Sequence, residues 1–160
     1  MTRIGCLFKS QDSHFIIGLI YLLPGKEVLS ELISIYSSDY IILGGDFNSR
    51  IANLNSYRDD DFIFEGSCLL SSRISFDNVL NTRGSALVEI MEKFGLKVCN
   101  GRSMSDSPSN FIFISKNGSS IVDLVWFNSS CLSLIKDFKV ENISDISDHY
   151  ACLHFEIVSY

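Results

Sequence analysis

The sequence lacks any run of lysine and arginine that would form a phosphate-binding stripe. Its 13 Lys and Arg residues are scattered, and the 19 Asp and Glu residues outnumber them, which gives a formal net charge of −6. A strongly basic surface is the usual mark of a nucleic-acid binder. The charge therefore argues against tight nucleic-acid binding, but not against brief, metal-assisted contact with a phosphate group.

Closely spaced cysteine pairs are also missing. No Cys-x-x-Cys pair occurs, so neither the usual zinc motif nor a redox motif is indicated. Most of the cysteines have apolar neighbours, and we expect small core residues in a reducing compartment. The five are Cys6, Cys68, Cys99, Cys131 and Cys152.

The apolar run at residues 15–23 is too short to cross a bilayer. The residues before it include Asp12 and His14, and residues 24–27 offer no small-residue cleavage site, so it does not resemble a signal peptide. We predict a buried strand here. The protein is expected to be intracellular and not secreted, and nuclear if it acts on DNA.

Repeats, low-complexity segments and linkers are absent too, and 160 residues is the length of one domain. With 46% hydrophobic and 20% charged residues, the chain should be globular and not disordered. Apolar spacing predicts amphipathic helices at residues 26–37 and 84–94, the second ended by Gly95. Strands are predicted at residues 3–9, 14–21, 40–43, 96–100, 110–115, 121–127, 138–141 and 150–158.

The first of these helices connects two predicted strands, which should form a right-handed parallel unit. Periodicity is lost between residues 49 and 80. Asp59, Asp60 and Asp61 in this stretch could bind a metal, but a run of like charges is more often a solvated surface. The whole pattern predicts a single mixed α/β domain.

One stretch combines a buried strand with polar residues, at residues 40–48. Its apolar run is expected to break on Gly44 and Gly45, after which Asp46 and Asn48 follow where the strand becomes a loop. Strand ends are favoured ligand sites in α/β proteins. Gly, Asp and Asn are also common turn residues, so an ordinary turn is the alternative.

Three more places carry candidate chemistry. Asp123 lies in an apolar strand, where a lone charge is costly unless it is paired. Asp148 and His149 precede the last strand, and Tyr21 ends an early one. A carboxylate that raises the pKa of an imidazole, together with carboxylates that suit Mg²⁺, would fit metal-assisted phosphoester hydrolysis. Alone, each could be a structural hydrogen-bond partner or a turn.

The ordered motifs resemble one family. The series Tyr21-x-x-Pro24, Gly45-Asp46-Phe47-Asn48, Ser120-x-x-Asp123 and Ser147-Asp148-His149 is similar to the endonuclease/exonuclease/phosphatase superfamily. The chain looks most like the apurinic-type endonuclease domains of non-LTR (LINE-like) retrotransposons. Residues 81–84 and a hairpin expected at residues 111–126 agree with this resemblance, which covers essentially the whole chain.

The resemblance implies a four-layer α/β sandwich, in which two mixed β-sheets pack face to face with helices outside. It also implies a Mg²⁺-dependent phosphodiesterase that nicks DNA, with Mn²⁺ as a possible substitute. The implied roles are an activated water at Asp46 and Asn48, a phosphate-contacting His149 paired with Asp123, a metal near Asp148, and a phosphate pocket at Tyr21, Asn110 and Ser120. Asn110 stands where the family usually has Thr.

The same resemblance implies a departure at the front of the chain. The family begins with a strand bearing Asn, a helix and a strand bearing the Glu that is a principal metal ligand, and no such segment precedes Tyr21. Residues 1–160 are therefore expected to be a partial, N-terminally truncated domain. A catalytically impaired fragment or decayed copy, and a phosphatase of small phosphoesters, remain alternatives to the active endonuclease.

Overall fold

The computed structural model describes residues 7–9, 14–23, 39–56, 66–142 and 151–157. The helix predicted at residues 26–37, the aspartates at 59–61 and the Asp148–His149 pair lie outside these residues. Two short 3₁₀ turns, Met104–Asp106 and Ser129–Ser133, accompany the longer elements. In chain order these elements are β1 (Leu7–Lys9), β2 (His14–Tyr21), β3 (Tyr40–Asp46), α1 (Thr82–Lys93), β4 (Leu96–Val98), β5 (Phe113–Ser115), β6 (Gly118–Ser120), β7 (Asp123–Asn128), β8 (Ile135–Asn142) and β9 (Ala151–Ile157).

A mixed sheet dominates the described part of the chain, with strand order β1-β2-β3-β7-β4. β2 and β3 run parallel, in register from Phe15 opposite Tyr40 to Tyr21 opposite Asp46. β1 is antiparallel to β2, and β7 is antiparallel to both β3 and β4. The predicted parallel pairing is thus confirmed, whereas the connection between β2 and β3 lies in the part of the chain that is not described.

The sheet buries apolar side chains on both faces. On one face the core includes Leu87, Val88 and Met91 of α1, which follow the helical spacing that makes a single apolar stripe. On the other face the core includes Ile135 and Phe138 of β8. Burying one such side chain contributes about 1.5–3 kcal/mol, so both faces stabilise the sheet.

β8 pairs antiparallel with β9 in a second sheet, and its last residues share a register with the start of β9. Helix α1, the mixed sheet and the β8–β9 sheet are therefore three successive layers, three of the four that were expected. The predicted mixed α/β architecture with two sheets is confirmed. Among the described residues, no helix has the length and apolar character needed to span a bilayer.

The strand break expected at Gly44 and Gly45 was wrong. β3 continues through both glycines to Asp46, and Gly45 pairs with Ile20 of β2 and Leu124 of β7. A Cβ added at Gly45, where φ is +139°, would overlap the carbonyl oxygen of Ile20. The glycine is therefore needed for close backbone approach within the sheet, and the turn begins only after Asp46.

The hairpin expected at residues 111–126 was also wrong in its second strand. β5 pairs with the short β6, while β7 leaves the hairpin and joins β3 and β4 in the main sheet. Asp123 is the first residue of β7, not an interior residue of an apolar strand. The four residues between the polar ends of β7 are apolar and buried, which fits a strand between two others with both faces covered.

Element ends differ from the predictions by a few residues. Helix α1 begins at Thr82 because Asn81 caps it, its side chain accepting a hydrogen bond of 2.6 Å from the Gly84 amide. Gly95, at φ +67°, follows the helix end, as predicted. β8 is longer than the strand predicted at residues 138–141, and the strands predicted at 96–100 and 110–115 are shorter.

The cysteine prediction is confirmed in part. Cys99 and Cys131 are buried, whereas Cys68 is exposed. Burial raises the pKa of the Cys131 thiol to about 11 and also raises the pKa of the Cys99 thiol, so both remain neutral thiols near pH 7. These two cysteines behave as small apolar core residues.

Candidate active site

Strand register aligns three of the predicted site residues in one row across the sheet. Tyr21 at the end of β2 lies opposite Asp46 at the end of β3. Asp46 in turn lies opposite Asp123 at the start of β7. Neighbouring strands are about 4.8 Å apart, and directly paired residues are close enough to interact. The phenol and the two carboxylates therefore belong to one edge of the sheet.

Asn48 holds the Asp46 carboxylate through both of its oxygens. The Asn48 amide donates to Oδ1 at 2.7 Å, and its side-chain Nδ2 donates to Oδ2 at 3.1 Å. The same Nδ2 donates to the carbonyl oxygen of Leu22 at 2.9 Å. Asn48 has φ +47°, a left-handed conformation that asparagine tolerates better than most residues. The carboxylate is thus oriented by the turn that follows it.

Asn100 supports Asp123 from the other side. β4 ends at Val98, and the Cys99 amide extends the ladder by donating to the Val125 carbonyl at 2.7 Å. Beyond that point the Asn100 side chain makes the hydrogen bonds to β7 that the backbone of a neighbouring strand would otherwise make. Its Oδ1 accepts from the Val125 amide at 2.8 Å, and its Nδ2 donates to the Asp123 carbonyl at 3.3 Å. Because Asn100 is fully buried, it fixes the first residues of β7.

Two buried arginines hold the loops next to Asn100. Arg73 donates from Nε to the Asn100 carbonyl at 2.9 Å. Arg102 donates from Nε to the Val98 carbonyl at 2.7 Å and from Nη1 to the Ser71 carbonyl at 2.5 Å. Burial, and then the nearby charge of Arg102, lowers the pKa of Arg73 to about 10. The Arg73 guanidinium remains charged at neutral pH, and both arginine side chains donate hydrogen bonds to backbone carbonyls.

An ion pair between Arg50 and Asp77 joins the loop after β3 to the segment before helix α1. Asp77 is 2% exposed and accepts two bonds from Arg50, 2.9 Å from Nε and 2.6 Å from Nη2. It also accepts hydrogen bonds from the backbone amides of Ile121 and Val79, each 3.0 Å long. Burial alone would raise the pKa of Asp77, but these hydrogen bonds, with that of Arg50 first, lower it below its usual value.

Asp77 belongs to a segment whose burial pattern is inverted. Arg73, Ser75 and Asp77 are buried, whereas Ile74 and Phe76 between them are 51% and 52% exposed. The polar side chains face inward because each finds hydrogen bonds there. Apolar periodicity missed this segment, and the signal that could have revealed it is the alternation of polar residues.

The phosphate-pocket residues named by the resemblance have unequal surroundings. Tyr21 is 48% exposed, and Ser120, at 9%, is almost buried beside the Ile121 amide that Asp77 holds. Asn110 is exposed and outside any strand. Among the described residues, its backbone hydrogen bond goes to Asp106 and not to the row of site residues.

Sequence reasoning missed Arg50, Asp77 and Asn100. Arg50 stands only two residues after Asn48, and this proximity was the available signal. Asp77 lies in the stretch where periodicity is lost, and Asn100 was predicted only as the end of a strand. The roles of both depend on partners far away in the chain.

The described residues include two carboxylates that could bind a divalent metal ion. Asp46 and Asp123 offer hard carboxylate oxygens of the kind that Mg²⁺ prefers. However, no group of three or more His, Cys, Asp or Glu side chains within the described residues could hold a metal ion. Asp148 lies outside these residues, so the described side chains alone do not form a metal site.

Comparisons with known proteins agree with this architecture. A family profile described as endonuclease-reverse transcriptase matches residues 15–153. No curated protein sequence matches the chain. Among solved structures, the endonuclease domain of TRAS1, a telomere-specific non-LTR retrotransposon, is similar with a TM-score of 0.62 at 19% identity. The match covers 96% of this chain and 62% of that domain.

Two structures from Neisseria are also similar. A 3′ phosphatase, NExo with an Asp-to-Asn substitution, bound to a product DNA hairpin, has a TM-score of 0.57 at 12% identity, over 92% of this chain and 64% of its own. A 3′-5′ exonuclease, NExo from Neisseria meningitidis, has a TM-score of 0.54 at 12% identity, over 90% and 64%. The chain thus spans about three-fifths of the structures it matches.

At 12–19% identity, the structural likeness establishes the fold alone. The family is established by the profile, which covers most of the sequence. The chain therefore belongs to the endonuclease-reverse transcriptase family, with the fold of the endonuclease/exonuclease/phosphatase superfamily.

Proposed function

We propose that this chain carries the water-activating part of the phosphodiesterase site of a retrotransposon-type endonuclease, which nicks DNA. The observation that supports it best is the Asp46 carboxylate, which Asn48 holds through both oxygens. A carboxylate can accept about four hydrogen bonds, so one oriented in this way is suited to hold a water molecule. Its position at a strand end, opposite Asp123, leaves it within reach of a ligand.

Asp46 would orient the attacking water and accept its proton, since a positioned carboxylate can serve as general base. Asn48 would bind the water and the phosphate. Asp123 would pair with His149, whose imidazolium would hold a phosphate oxygen. Tyr21, Asn110 and Ser120 would line the phosphate pocket, a role that the half-exposed phenol of Tyr21 suits better than the nearly buried Ser120.

We further propose a divalent cation, Mg²⁺ or in its place Mn²⁺, with Asp148 among its ligands. Such an ion would neutralise charge on the phosphate when bound. Because the described side chains do not form a complete metal site, the proposal depends on residues beyond them. DNA is the proposed substrate, by analogy with the DNA-bound neighbour, and action on chromosomal DNA would require a nuclear location.

Two alternatives have observations in their favour. A catalytically impaired copy is supported by the lack of a group of three or more metal ligands among the described residues. A phosphatase of small phosphoesters is supported by the net charge of −6, which repels a long polyanion more than a small one.

The test is a supercoiled-plasmid nicking assay with Mg²⁺ on the full chain. Asp46→Asn should lower nicking at least about 100-fold, the loss typical of a general base. Asp39→Asn is the matched control, because Asp39 is an exposed residue that directly precedes the opposite end of β3. Equal nicking by all three proteins would refute the proposal.

Phosphate release from a small phosphomonoester without nicking would support the phosphatase instead. Failure of the folded wild-type chain in both assays, with Mg²⁺ and with Mn²⁺, would support the impaired copy.

A further inference from the structure

One edge of the Arg50 guanidinium is hydrogen-bonded to Asp77, and the other edge, at Nη1, faces away from this carboxylate. Nε and Nη2 contact Asp77, and Nη2 also lies 3.4 Å from the Ser119 carbonyl. Nη1 makes no hydrogen bond to any residue that the structure describes. The side chain is 29% exposed, whereas its partner carboxylate is 2% exposed. Since arginine has five N–H donors, the edge at Nη1 retains donors for a ligand.

The backbone of Arg50 is fixed as firmly as its side chain. Its amide donates to Asn81 Oδ1 at 3.4 Å, and its carbonyl accepts from the Asn81 amide at 3.1 Å. A Cβ added at Gly84 would overlap the same carbonyl, so helix α1 packs directly on this residue. Arg50 follows Asn48 by two residues, and its guanidinium lies next to the segment that contains Ser120. It is therefore part of the same rigid surroundings as the candidate site.

The electrostatics of the site call for a cation. Asp46 and Asp123 add two carboxylates in a chain with net charge −6, and a phosphodiester brings another negative charge. Arginine is well suited to phosphate oxygens because its planar donors match their geometry and its charge persists at every working pH. Bidentate pairing with a buried carboxylate keeps the guanidinium in one orientation before a ligand arrives.

We propose that Arg50 binds a non-bridging phosphate oxygen of the nucleic-acid substrate through Nη1, and that Asp77 is the positioning residue that orients it. The inference rests on the proposed function and adds a residue and a contact to it. Neither residue was among the candidates that the sequence indicated.

The two partners of this ion pair should respond in opposite directions. Loss of Arg50 removes a phosphate contact and leaves the Asp77 anion uncompensated, so binding should weaken. In Asp77→Asn the amide oxygen still accepts a hydrogen bond from Arg50 and so keeps the orientation of the guanidinium. The lost negative charge leaves the guanidinium uncompensated, so binding should strengthen or stay unchanged. An ion pair with a purely structural role would make both losses weaken binding in the same way.

The experiment measures fluorescence anisotropy of a dye-labelled DNA duplex with the full chain, in EDTA so that no cleavage occurs. Arg50→Gln should weaken binding about tenfold near 0.1 M salt and reduce the slope of log K against log salt by about 1. Asp77→Asn should not weaken binding. Arg50→Lys, which keeps the charge, should retain the salt slope and lose less affinity.

The matched control pair is Lys93→Gln and Glu89→Gln, which breaks an exposed ion pair on helix α1 without touching the site. Neither should change affinity more than about twofold. Thermal unfolding of each variant establishes that it is folded.

Wild-type affinity in Arg50→Gln, or equal weakening in Arg50→Gln and Asp77→Asn, would overturn the inference while the proposed function stands. No DNA binding and no nicking by the wild-type chain would overturn both.

Discussion

Replacing Asn100 by alanine tests whether one buried side chain holds the start of β7. The carboxamide makes two hydrogen bonds, from the Val125 amide at 2.8 Å and to the Asp123 carbonyl at 3.3 Å. Val125 is 1% exposed, so in Asn100→Ala its amide would lose its partner without access to water. A buried unpaired donor costs about 1–3 kcal/mol, and the second bond adds about 1 kcal/mol.

Asn100→Ala should therefore lower the free energy of unfolding by about 3 kcal/mol, from the 5–15 kcal/mol that is usual for a domain. For a chain of this length the melting temperature should fall by about 6–12 °C. Urea unfolding followed by circular dichroism measures the first quantity, and a thermal scan measures the second.

Asn78→Ala is the matched control. Asn78 is exposed, and its side chain accepts a bond of 3.2 Å from the exposed Asn53, so its loss should change stability by less than about 0.5 kcal/mol. If Asn100→Ala were as mild as Asn78→Ala, the carboxamide could not be the support for Asp123. In the nicking assay, Asn100→Ala should also be slower than the control, because a shifted β7 misaligns Asp123.

Gly45→Ala should destabilise the protein by more than about 3 kcal/mol in urea unfolding, because the new methyl group would overlap the Ile20 carbonyl at a backbone angle of φ +139°. Burial raises the pKa of Asp106 from 3.8 to about 6. Because the folded protein binds the proton of this carboxyl group more tightly than the unfolded chain, the proton stabilises the fold fully below about pH 4. About 3 kcal/mol of this stability is lost between about pH 4 and pH 6. Asp106→Asn should remove that decline from a plot of urea midpoint against pH. If Asp123 pairs with His149, an NMR titration should find the imidazole pKa above its free value.

Each of these predictions has a result that contradicts it. Gly95→Ala is the control for the glycine, because Gly95 also has positive φ but an added Cβ there meets nothing within 4 Å. Similar losses for Gly45→Ala and Gly95→Ala would rule out the steric cause. Parallel pH curves for wild type and Asp106→Asn would exclude Asp106 as the titrating group. An unshifted or lowered pKa of His149 would argue against the Asp123 pair.

Local patterns were sufficient for the elements with strong periodicity. The apolar runs of β2 and β3, and their parallel pairing, followed from short strands on either side of a helical pattern. The apolar face of α1 and its end at Gly95 were equally readable. In each case the signal lies within one continuous stretch of sequence, so no knowledge of distant contacts was needed.

The candidate site was readable only in part. Tyr21, Asp46 and Asp123 were named from motifs, and their alignment in one row came from strand register. Their catalytic roles, like those of Asp148 and His149, stay predictions. The role of the glycines before Asp46 was misread, because the sequence gives no indication that the carbonyl of Ile20 on the neighbouring strand approaches so closely.

What the sequence alone determined is the order of β1 to β5, β7 to β9 and helix α1, the family motifs and the position of Asp46 at a strand end. What only the tertiary structure decided is how the site is held. Asp77 reaches Arg50 across 27 residues and Ile121 across 44, and Asn100 reaches Val125 across 25. A hydrogen bond depends on distance and angle between two atoms, and no local pattern encodes these for residues brought together by the folding of separate strands.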